Sequence, residues 1–443
     1  MTDILAKFVP EKDSRVFWVV FVLCIFFCGM ILLVVSPITG LSSNFGSGND
    51  GYIQLAESLV AGNDYVFEKG GPPVFHRPPL YPLFLVPVAL FPQYLQRYII
   101  VIPQSVLVGL IGMMIFKIAC RLYNRTVAVV ALLLFLINPW VYWNAKNPMT
   151  PILQTFLYLL FAYSTAIELF GKTKFKTLPA GLIIGAADAA LALAHAAMLP
   201  PVCLSLLVLF INAAVRNKKR IVTPLLAGVV VICLIAPWTY RNYVVFNRFI
   251  PIAGGGGLAY FNGNVHWAGI EPEPQRPSES YINASLRVLG MEGTEQTRTH
   301  WKGFKDIRDE DLADKKMAEH IKSHPALFVK KVILNAVEYY FPVLTYPFLA
   351  VKRVSLEQIA LTVFHLGLWI FAIIGILFRR AEFSLKPFLL LLAGILFYSV
   401  WFFPFATFIG HSLYTMGTIP FLCVMSAAGV VFLFRKEKKM LPS

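Results

Sequence analysis

The chain has 443 residues, 57% of them hydrophobic and 14% charged, with a formal net charge of +15. A soluble domain carries roughly 25% charged residues; here the apolar residues form runs of about 20, long enough to cross ~30 Å of hydrocarbon. The composition excludes an ordinary soluble enzyme, and the clustering of Lys and Arg between apolar runs points to cytoplasmic loops and not to nucleic acid.

The first apolar run, 16–35, follows Lys7, Lys12 and Arg15. It is too long for a signal-peptide core and has no clear small-residue cleavage site, so it reads as a retained signal anchor. Length and apolarity then predict spans near 16–36, 97–117, 126–144, 150–170, 178–194, 198–215, 222–238, 356–378, 387–404 and 412–434, about ten in all. The basic clusters Lys117/Arg121/Arg125, Lys172/Lys174/Lys176, Arg216/Lys218/Lys219/Arg220, Arg379/Arg380/Lys386 and Arg435/Lys436/Lys438/Lys439 all fall on the side of the N-terminus. Both termini are therefore expected to be cytoplasmic, with the loops 37–96 and 239–355 on the outer face. The chain divides accordingly into an N-terminal transmembrane module, 1–238, an outer loop, 239–355, and C-terminal spans, 356–443.

Both outer loops carry structure of their own. Residues 78–91 are apolar but short and proline-rich, which predicts a helix against the membrane surface. In the second loop a helix is expected near 309–323, with Asp309, Glu310 and Asp311 in its first turn and Asp311 placed to pair with Lys315. Pro325 opens a second, amphipathic helix whose Lys330 and Lys331 suit a headgroup interface. The alternative, a span over 326–350, would put Arg379 and Arg380 outside and is rejected on charge.

The residues with chemical potential gather on the outer face. Asp50 follows the first span, and Arg77 is held extended by Pro78-Pro79. A carboxylate and a guanidinium at the bilayer edge suit a charged or polar substrate. Together they supply what sugar transfer from a lipid phosphate requires: a base for the acceptor hydroxyl and a cation for the departing phosphate. An Arg fork meets two phosphate oxygens at once. The bland alternatives are an N-cap for a helix over 51–61 at Asp50 and headgroup pairing at Arg77. His76 is a second donor beside Arg77. Arg241, at the outer end of a span, either snorkels to headgroups or binds lipid phosphate. The glycine run 254–257 lacks the Lys-Ser/Thr of a P-loop and reads as a flexible turn or hinge. Asn262, Asn264 and His266 offer sugar-hydroxyl contacts, or a plain turn. His411 and Tyr414 stand where they would close the site from the last span. Asp188 and His195, in or beside the fifth span, are open between a structural and a functional reading. The six cysteines form no CxxC pair, so no metal site is read, and no cofactor is required; a divalent cation stays open.

Four motifs in order along the chain resemble the GT-C superfamily of polyprenyl-phosphate-sugar-dependent glycosyltransferases. They are Asp50-Gly51-Tyr52-Ile53-Gln54-Leu55-Ala56, His76-Arg77-Pro78-Pro79-Leu80-Tyr81-Pro82, Ala236-Pro237-Trp238-Thr239-Tyr240-Arg241-Asn242-Tyr243, and Gly257-Leu258-Ala259-Tyr260-Phe261-Asn262-Gly263-Asn264. The nearest branch looks like the bacterial protein O-mannosyltransferases and the lipid A aminoarabinose transferase. The resemblance implies an all-α, GT-C-type bundle with juxtamembrane helices on the outer face, in a bacterial inner membrane with the site facing the periplasm. It implies an inverting transfer of a monosaccharide from a polyprenyl-phosphate carrier to a periplasmic glycan, lipid or protein, with Asp50 as the catalytic acid of the first outer loop and Arg77 at the lipid phosphate. The rival classes are a transporter or flippase, or a non-catalytic binder, of lipid-linked sugars. Two departures stand out: Thr150-Pro151, with Asn147 and Gln154, where the family often has an acid, and His411-Ser412-Leu413-Tyr414 where it has Arg-Tyr.

The orientation has a direct test. Single cysteines at Ser47 and Ser278 in a cysteine-free background should react with an impermeant thiol reagent from the periplasmic side, and one at Thr173 should not; the opposite pattern inverts the topology.

Overall fold

The computed structural model describes residues 14–35, 50–170, 177–264, 307–341, 356–378, 385–402 and 415–434. His266, His411, Tyr414, the Pro/Glu stretch 271–277 and several of the basic clusters that set the orientation lie outside the described residues. Within them the chain is helical, and the only strand-like pairing is one bridge, Val66 to Pro73.

Helix α1 (Ser14–Met30) continues through a π-helical turn, Ile31–Val35. The segment after it holds α2 (Tyr52–Val60) and α3 (Leu80–Ala89). Helix α4 (Gln93–Ile99) runs almost directly into α5 (Val101–Leu122), and the two together form a 30-residue apolar segment. The span expected over 126–144 is instead a broken pair, α6 (Arg125–Leu136) and α7 (Pro139–Lys146), bent by 55°. The break has a local cause. The Asn138 side chain accepts from the Trp140 amide at 3.0 Å, capping a new helix whose first residue is Pro139. The same device starts α6, where Asn124 accepts from the Val127 amide at 3.0 Å.

Three long helices follow: α8 (Pro151–Phe170), α9 (Thr177–Ala194) and α10 (Leu199–Arg216). Helix α11 (Val222–Phe246) is eight residues longer than its predicted span, which ended at 238; it passes Pro237 and stops at Asn247, whose φ of 52° closes it in the left-handed region. Arg241 therefore lies within a helix and not at the mouth of a loop. Helix α12 (Gly256–Asn264) takes up the segment read as a turn around Asn262 and Asn264. Helices α13 (Ile307–Ser323) and α14 (Pro325–Tyr340) fall where expected, α14 with proline in its first turn. The chain closes with α15 (Leu356–Phe378), α16 (Leu385–Ser399) and α17 (Ile419–Phe434).

Among the described residues six helices are long and apolar enough to span a membrane, seven if the bent pair is one span. Thr362–Gly375, Leu389–Ser399 and Ile419–Phe434 are shorter apolar helices within the last three predicted spans. Helix α17 is the centre of the core: Ile419 through Gly429 are all buried, so its apolar surface faces protein on every side. Helix α3 is also packed more deeply than a surface helix, with Tyr81 and Leu85 fully enclosed.

The α9–α11 contact explains two glycines. A Cβ on Gly181 would lie 2.9 Å from the Thr223 carbonyl oxygen, and one on Gly185 2.6 Å from that of Ala227. The Gly-x-x-x-Gly spacing puts both on one face and lets the backbones close, the usual way apolar helices associate where lipid removes the hydrophobic incentive. This packing fixes the end of α9 against α11, and so fixes the residues that emerge there at the site. Gly185→Val should force the two backbones apart and cost about 1–3 kcal/mol. The detergent-solubilised variant should melt well below the parent, whereas Gly228→Ala, with nothing within 4 Å of its Cβ, should not. Equal melting of Gly185→Val and parent would show that the contact is loose.

Candidate active site in the first outer loop

The site starts from Gly51. Its φ of 83° is a left-handed conformation that favours glycine, and it caps α2 at its N-terminus. The carboxylate of Asp50 makes no bond to the start of that helix among the described residues, so the N-cap reading of Asp50 falls away. What Asp50 contributes locally is its backbone carbonyl, which accepts from Arg77 Nε at 2.9 Å. Arg77 Nη2 then lies 3.9 Å from Asp50 Oδ1, with the two side chains 21% and 30% exposed. The Arg77 guanidinium also sits over the Tyr52 ring, 5.5 Å from its centroid. The sequence motifs thus converge: residues 27 positions apart share one partly open site.

A second layer holds this arrangement. Residues 64–74 form a tight hairpin, in which the Val74 amide donates to the Tyr65 carbonyl at 2.9 Å. The buried Tyr65 hydroxyl reaches the carbonyls of Arg77 at 3.2 Å and Pro78 at 3.0 Å. Burial, and after it the neighbouring Tyr52, push the Tyr65 hydroxyl well above its ordinary pKa, with the charges of Arg77 and Arg241 opposing, so it stays a donor. Neither Tyr65 nor this role was visible as a sequence pattern; Tyr52 and Tyr81 were, because both lie inside the motifs. Tyr81 stacks edge-on to Tyr52 at 5.2 Å and accepts from Gln104 Nε2 at 2.8 Å. Glu57 accepts from Gln93 and Gln96 and belongs to the scaffold.

Arg241 is bound up in the same scaffold. Its Nη1 donates to the Val74 carbonyl and to Asn242 Oδ1, both at 3.1 Å. The guanidinium is packed against the rings of Trp238, Phe246 and Tyr65, at 5.0, 5.2 and 5.5 Å. Its neighbours on α11 clamp the chain that follows. Trp238 Nε1 donates to the Ile252 carbonyl at 2.6 Å and Thr239 Oγ1 to that of Pro251 at 2.7 Å. The Gly254 amide then donates to the Phe75 carbonyl at 2.9 Å, one residue before His76. His76 itself lies against Phe75 and Phe67, with ring centroids 5.5 and 5.7 Å away.

The glycine run is not a free hinge. Gly255 has φ +106°, and a Cβ on Gly257 would come 2.5 Å from the backbone of Ala313 and Asp314. The glycines let α12 lie directly on α13, where the Gly257 amide donates to the buried Glu310 carboxylate at 3.2 Å. Asp311 pairs with Arg248, not with Lys315. Lys331 departs from its expected headgroup position: it is 1% exposed, with Nζ 3.4 Å from the Tyr260 hydroxyl and 4.8 Å from the ring, and burial lowers its amine to about 7. Lys330 is exposed.

His195, left open in the sequence between a structural and a functional reading, lies near Arg77. It breaks the backbone between α9 and a short 3₁₀ turn, Ala196–Met198, with φ −151°. Its ring packs edge-on to Phe402 at 5.1 Å. Burial, then the nearby Arg77 charge, push it down to about 4, so at neutral pH it stands as an uncharged imidazole beside the site. Asp188 lies two turns back on the same face of α9, fully buried, with both oxygens unpartnered among the described residues.

The chain superposes on the apo oligosaccharyltransferase of Archaeoglobus fulgidus with a TM-score of 0.50 at 12% identity, over 96% of this chain and 51% of that one. It therefore spans about half the length of that protein, and the likeness is one of fold. ArnT from Cupriavidus metallidurans bound to undecaprenyl phosphate aligns at a TM-score of 0.40 and 14% identity, over 94% of this chain and 78% of that one. The apo state of the same protein aligns at 0.34 and 14%, over 87% and 73%. No protein-family model and no curated protein matches the sequence.

Burial, and after it the charge of Asp314, raise the Glu310 carboxyl above its ordinary range, against the pull of the Gly257 and Gly255 amides. A carboxyl with a raised folded pKa contributes stability that is full at low pH and lost as pH climbs through the raised value. The α12–α13 packing should therefore weaken from roughly pH 4 to 5 upward. Glu310→Gln keeps the acceptor and carries no charge. Its melting temperature should lose this alkaline decline, and a decline as steep as the parent's would place the titration elsewhere.

Proposed function

We propose that this chain is an integral-membrane glycosyltransferase that moves a monosaccharide from a polyprenyl-phosphate carrier to an acceptor on the periplasmic face. The observation that carries the reading is the Asp50–Arg77 pair: a carboxylate and a guanidinium side by side at 3.9 Å, both partly open, with Arg77 Nε bonded to the Asp50 backbone carbonyl. The GT-C fold is consistent with it.

In the proposed reaction the acceptor hydroxyl attacks the anomeric carbon from the face opposite the phosphate. Asp50 takes the hydroxyl proton as the carbon–oxygen bond forms. The bond from the anomeric carbon to the phosphate oxygen breaks, its electron pair stays on the phosphate, and configuration inverts. Arg77 meets the developing charge in a site of lowered dielectric. Its Nε is already committed to the Asp50 carbonyl, which fixes the plane of the fork before substrate arrives. We assign the phosphate to Arg77 and not to Arg241, whose guanidinium is engaged by Val74, Asn242 and three aromatic rings. We assign supporting roles to His76 and His195. No step calls for a metal.

The test is a pair of substitutions assayed in membranes supplied with candidate lipid-phosphate sugars, following release of polyprenyl phosphate. Asp50→Asn should insert and fold but lose transfer; turnover within a few-fold of the parent would sink the base assignment. Arg77→Ala should lose about 10²-fold or more, the scale of one preorganised charge-stabilising donor, and Arg77→Lys less. Because the donor carries phosphate in the ground state as well, part of the loss should appear as weaker donor binding. Normal donor use by Arg77→Ala, with only acceptor affinity altered, would move the phosphate elsewhere.

A further inference from the structure

Helices α12, α13 and α14 meet around a buried base and a buried acid that do not pair with each other. The base is Lys331 on α14. Its Nζ reaches the Tyr260 hydroxyl of α12 at 3.4 Å, and no carboxylate pairs with it among the described residues. The buried Tyr260 hydroxyl also meets His320 Nδ1 of α13 at 2.9 Å, and His324 stacks on His320 with centroids 5.1 Å apart. From α15, which packs on α14, His365 Nδ1 meets the Tyr340 carbonyl at the far end of that helix. The ionisable groups around Lys331 are thus a phenol and two imidazoles, and none offsets an ammonium.

The acid is Glu310 on α13. It accepts from the Gly257 amide of α12, its charged neighbour is a second acid, Asp314, and Arg248 is taken up by Asp311. A Cβ on Gly254 would lie 3.1 Å from the Phe75 ring and 3.8 Å from Glu310 Cγ. Gly254 therefore sits between the carboxylate and the residue that precedes His76 and Arg77. Phe75 also shares one apolar cluster with Tyr260, Phe261 and Ala313.

Each buried group works against the closed junction in its own pH window. Burial holds the Lys331 amine below its ordinary 10.5, at about 7. Its contribution is full above 10.5 and is lost as pH falls towards 7, because the opened amine takes a proton that the closed one refuses. Glu310, raised from 4.5, does the reverse: its contribution is full below 4.5 and is lost as pH climbs through the raised value. His320, lowered from 6.5 by burial and then by Lys331 and His324, takes back part of the gain on the acid side. Around neutrality the penalties of Lys331 and Glu310 are in force together.

We propose that the α12–α13–α14 junction is a clasp that its own buried acid and base make weakest near neutral pH, so that α12 opens locally there and loosens the strand that carries Arg77. The clasp stands on its own contacts; that its opening gates sugar transfer rests on the proposed function.

The experiment needs no substrate, so its failure and the failure of the proposed reaction are separate results. Amide hydrogen exchange is followed on the full chain in mild detergent at about pH 5, 7.5 and 9.5, on either side of the two windows. Protection factors are corrected for the intrinsic pH dependence of exchange. Peptides of α12 and α13 should be protected several-fold less, roughly, at the middle pH than at either extreme. Peptides covering 72–77 should follow them, and peptides of α17 should show no minimum. Lys331→Met should remove the alkaline rise and leave the acid one; Glu310→Gln should do the opposite. A flat profile in the parent, a maximum at neutral pH, an equal minimum in α17, or both arms persisting in both variants would each overturn the clasp. Steady protection of 72–77 while α12 opens would break its link to Arg77. If Lys331→Met does not fold, the parent profile and Glu310→Gln decide alone.

Discussion

A guanidinium at the edge of an apolar bundle has five donors to place, and the fold around Arg77 is organised by where they go. One donor reaches the Asp50 carbonyl, the face meets Tyr52, and the backbone carbonyls of Arg77 and Pro78 are tied to the Tyr65 hydroxyl. This bonding fixes the chain on both sides of the residue. It also leaves the Asp50 carboxylate near the guanidinium without a tight ion pair, since 3.9 Å is the outer limit of such a contact. A short, bidentate pair would neutralise both groups against each other. The looser one keeps an acid and a cation facing the same partly open space, which is the condition the proposed chemistry needs.

The chain from α11 onward completes the clasp. Arg241 on α11 holds Val74, and Gly254 holds Phe75, so the strand that delivers His76 and Arg77 is gripped by elements more than 160 residues later. Both grips rest on α11 running straight through Pro237 to Phe246. The α9–α11 backbone contact at Gly181 and Gly185 brings the two helices together, and His195 follows directly on α9 with the Arg77 charge nearby. Packing deep in the bundle and geometry at the site are thus one problem.

The legibility of these features in the sequence follows from their range. Apolar runs announce spans because length and hydropathy are local, and the residues expected in the span 356–378 are helical throughout. Asp50 and Arg77 stood out because each sits in a short motif next to glycine or proline. Three things did not. The break at Asn138-Pro139 looked like part of one span, since the apolar run continues through it; only the cap bond decides it. The end of α11 was set eight residues early because Arg241 and Asn242 look like loop residues; they are helical because their polar groups find Val74, Ile250 and Ile252 across the fold. Lys331 read as a headgroup contact because a lysine on an amphipathic helix usually is; its burial depends on Tyr260, 71 residues away.

The departure at the start of α8 has a physical consequence for the proposed reaction. Asn147 and Gln154, 0% and 2% exposed, are enclosed, and Asn147's carbonyl lies 3.5 Å from Gln104 Nε2, which also serves Tyr81. The carboxamide that ties α5 to α3 and to the α7–α8 junction is that of Gln104, whose Nε2 reaches Tyr81 and the backbone carbonyl of Asn147, while Asn147 Nδ2 donates to the Trp143 carbonyl. An acid in these enclosed positions would face an uncharged network. The proposed proton transfer from the acceptor then falls to Asp50, the carboxylate beside Arg77. Its position is set by its own backbone bond to that arginine, so the base and the cation move as one unit.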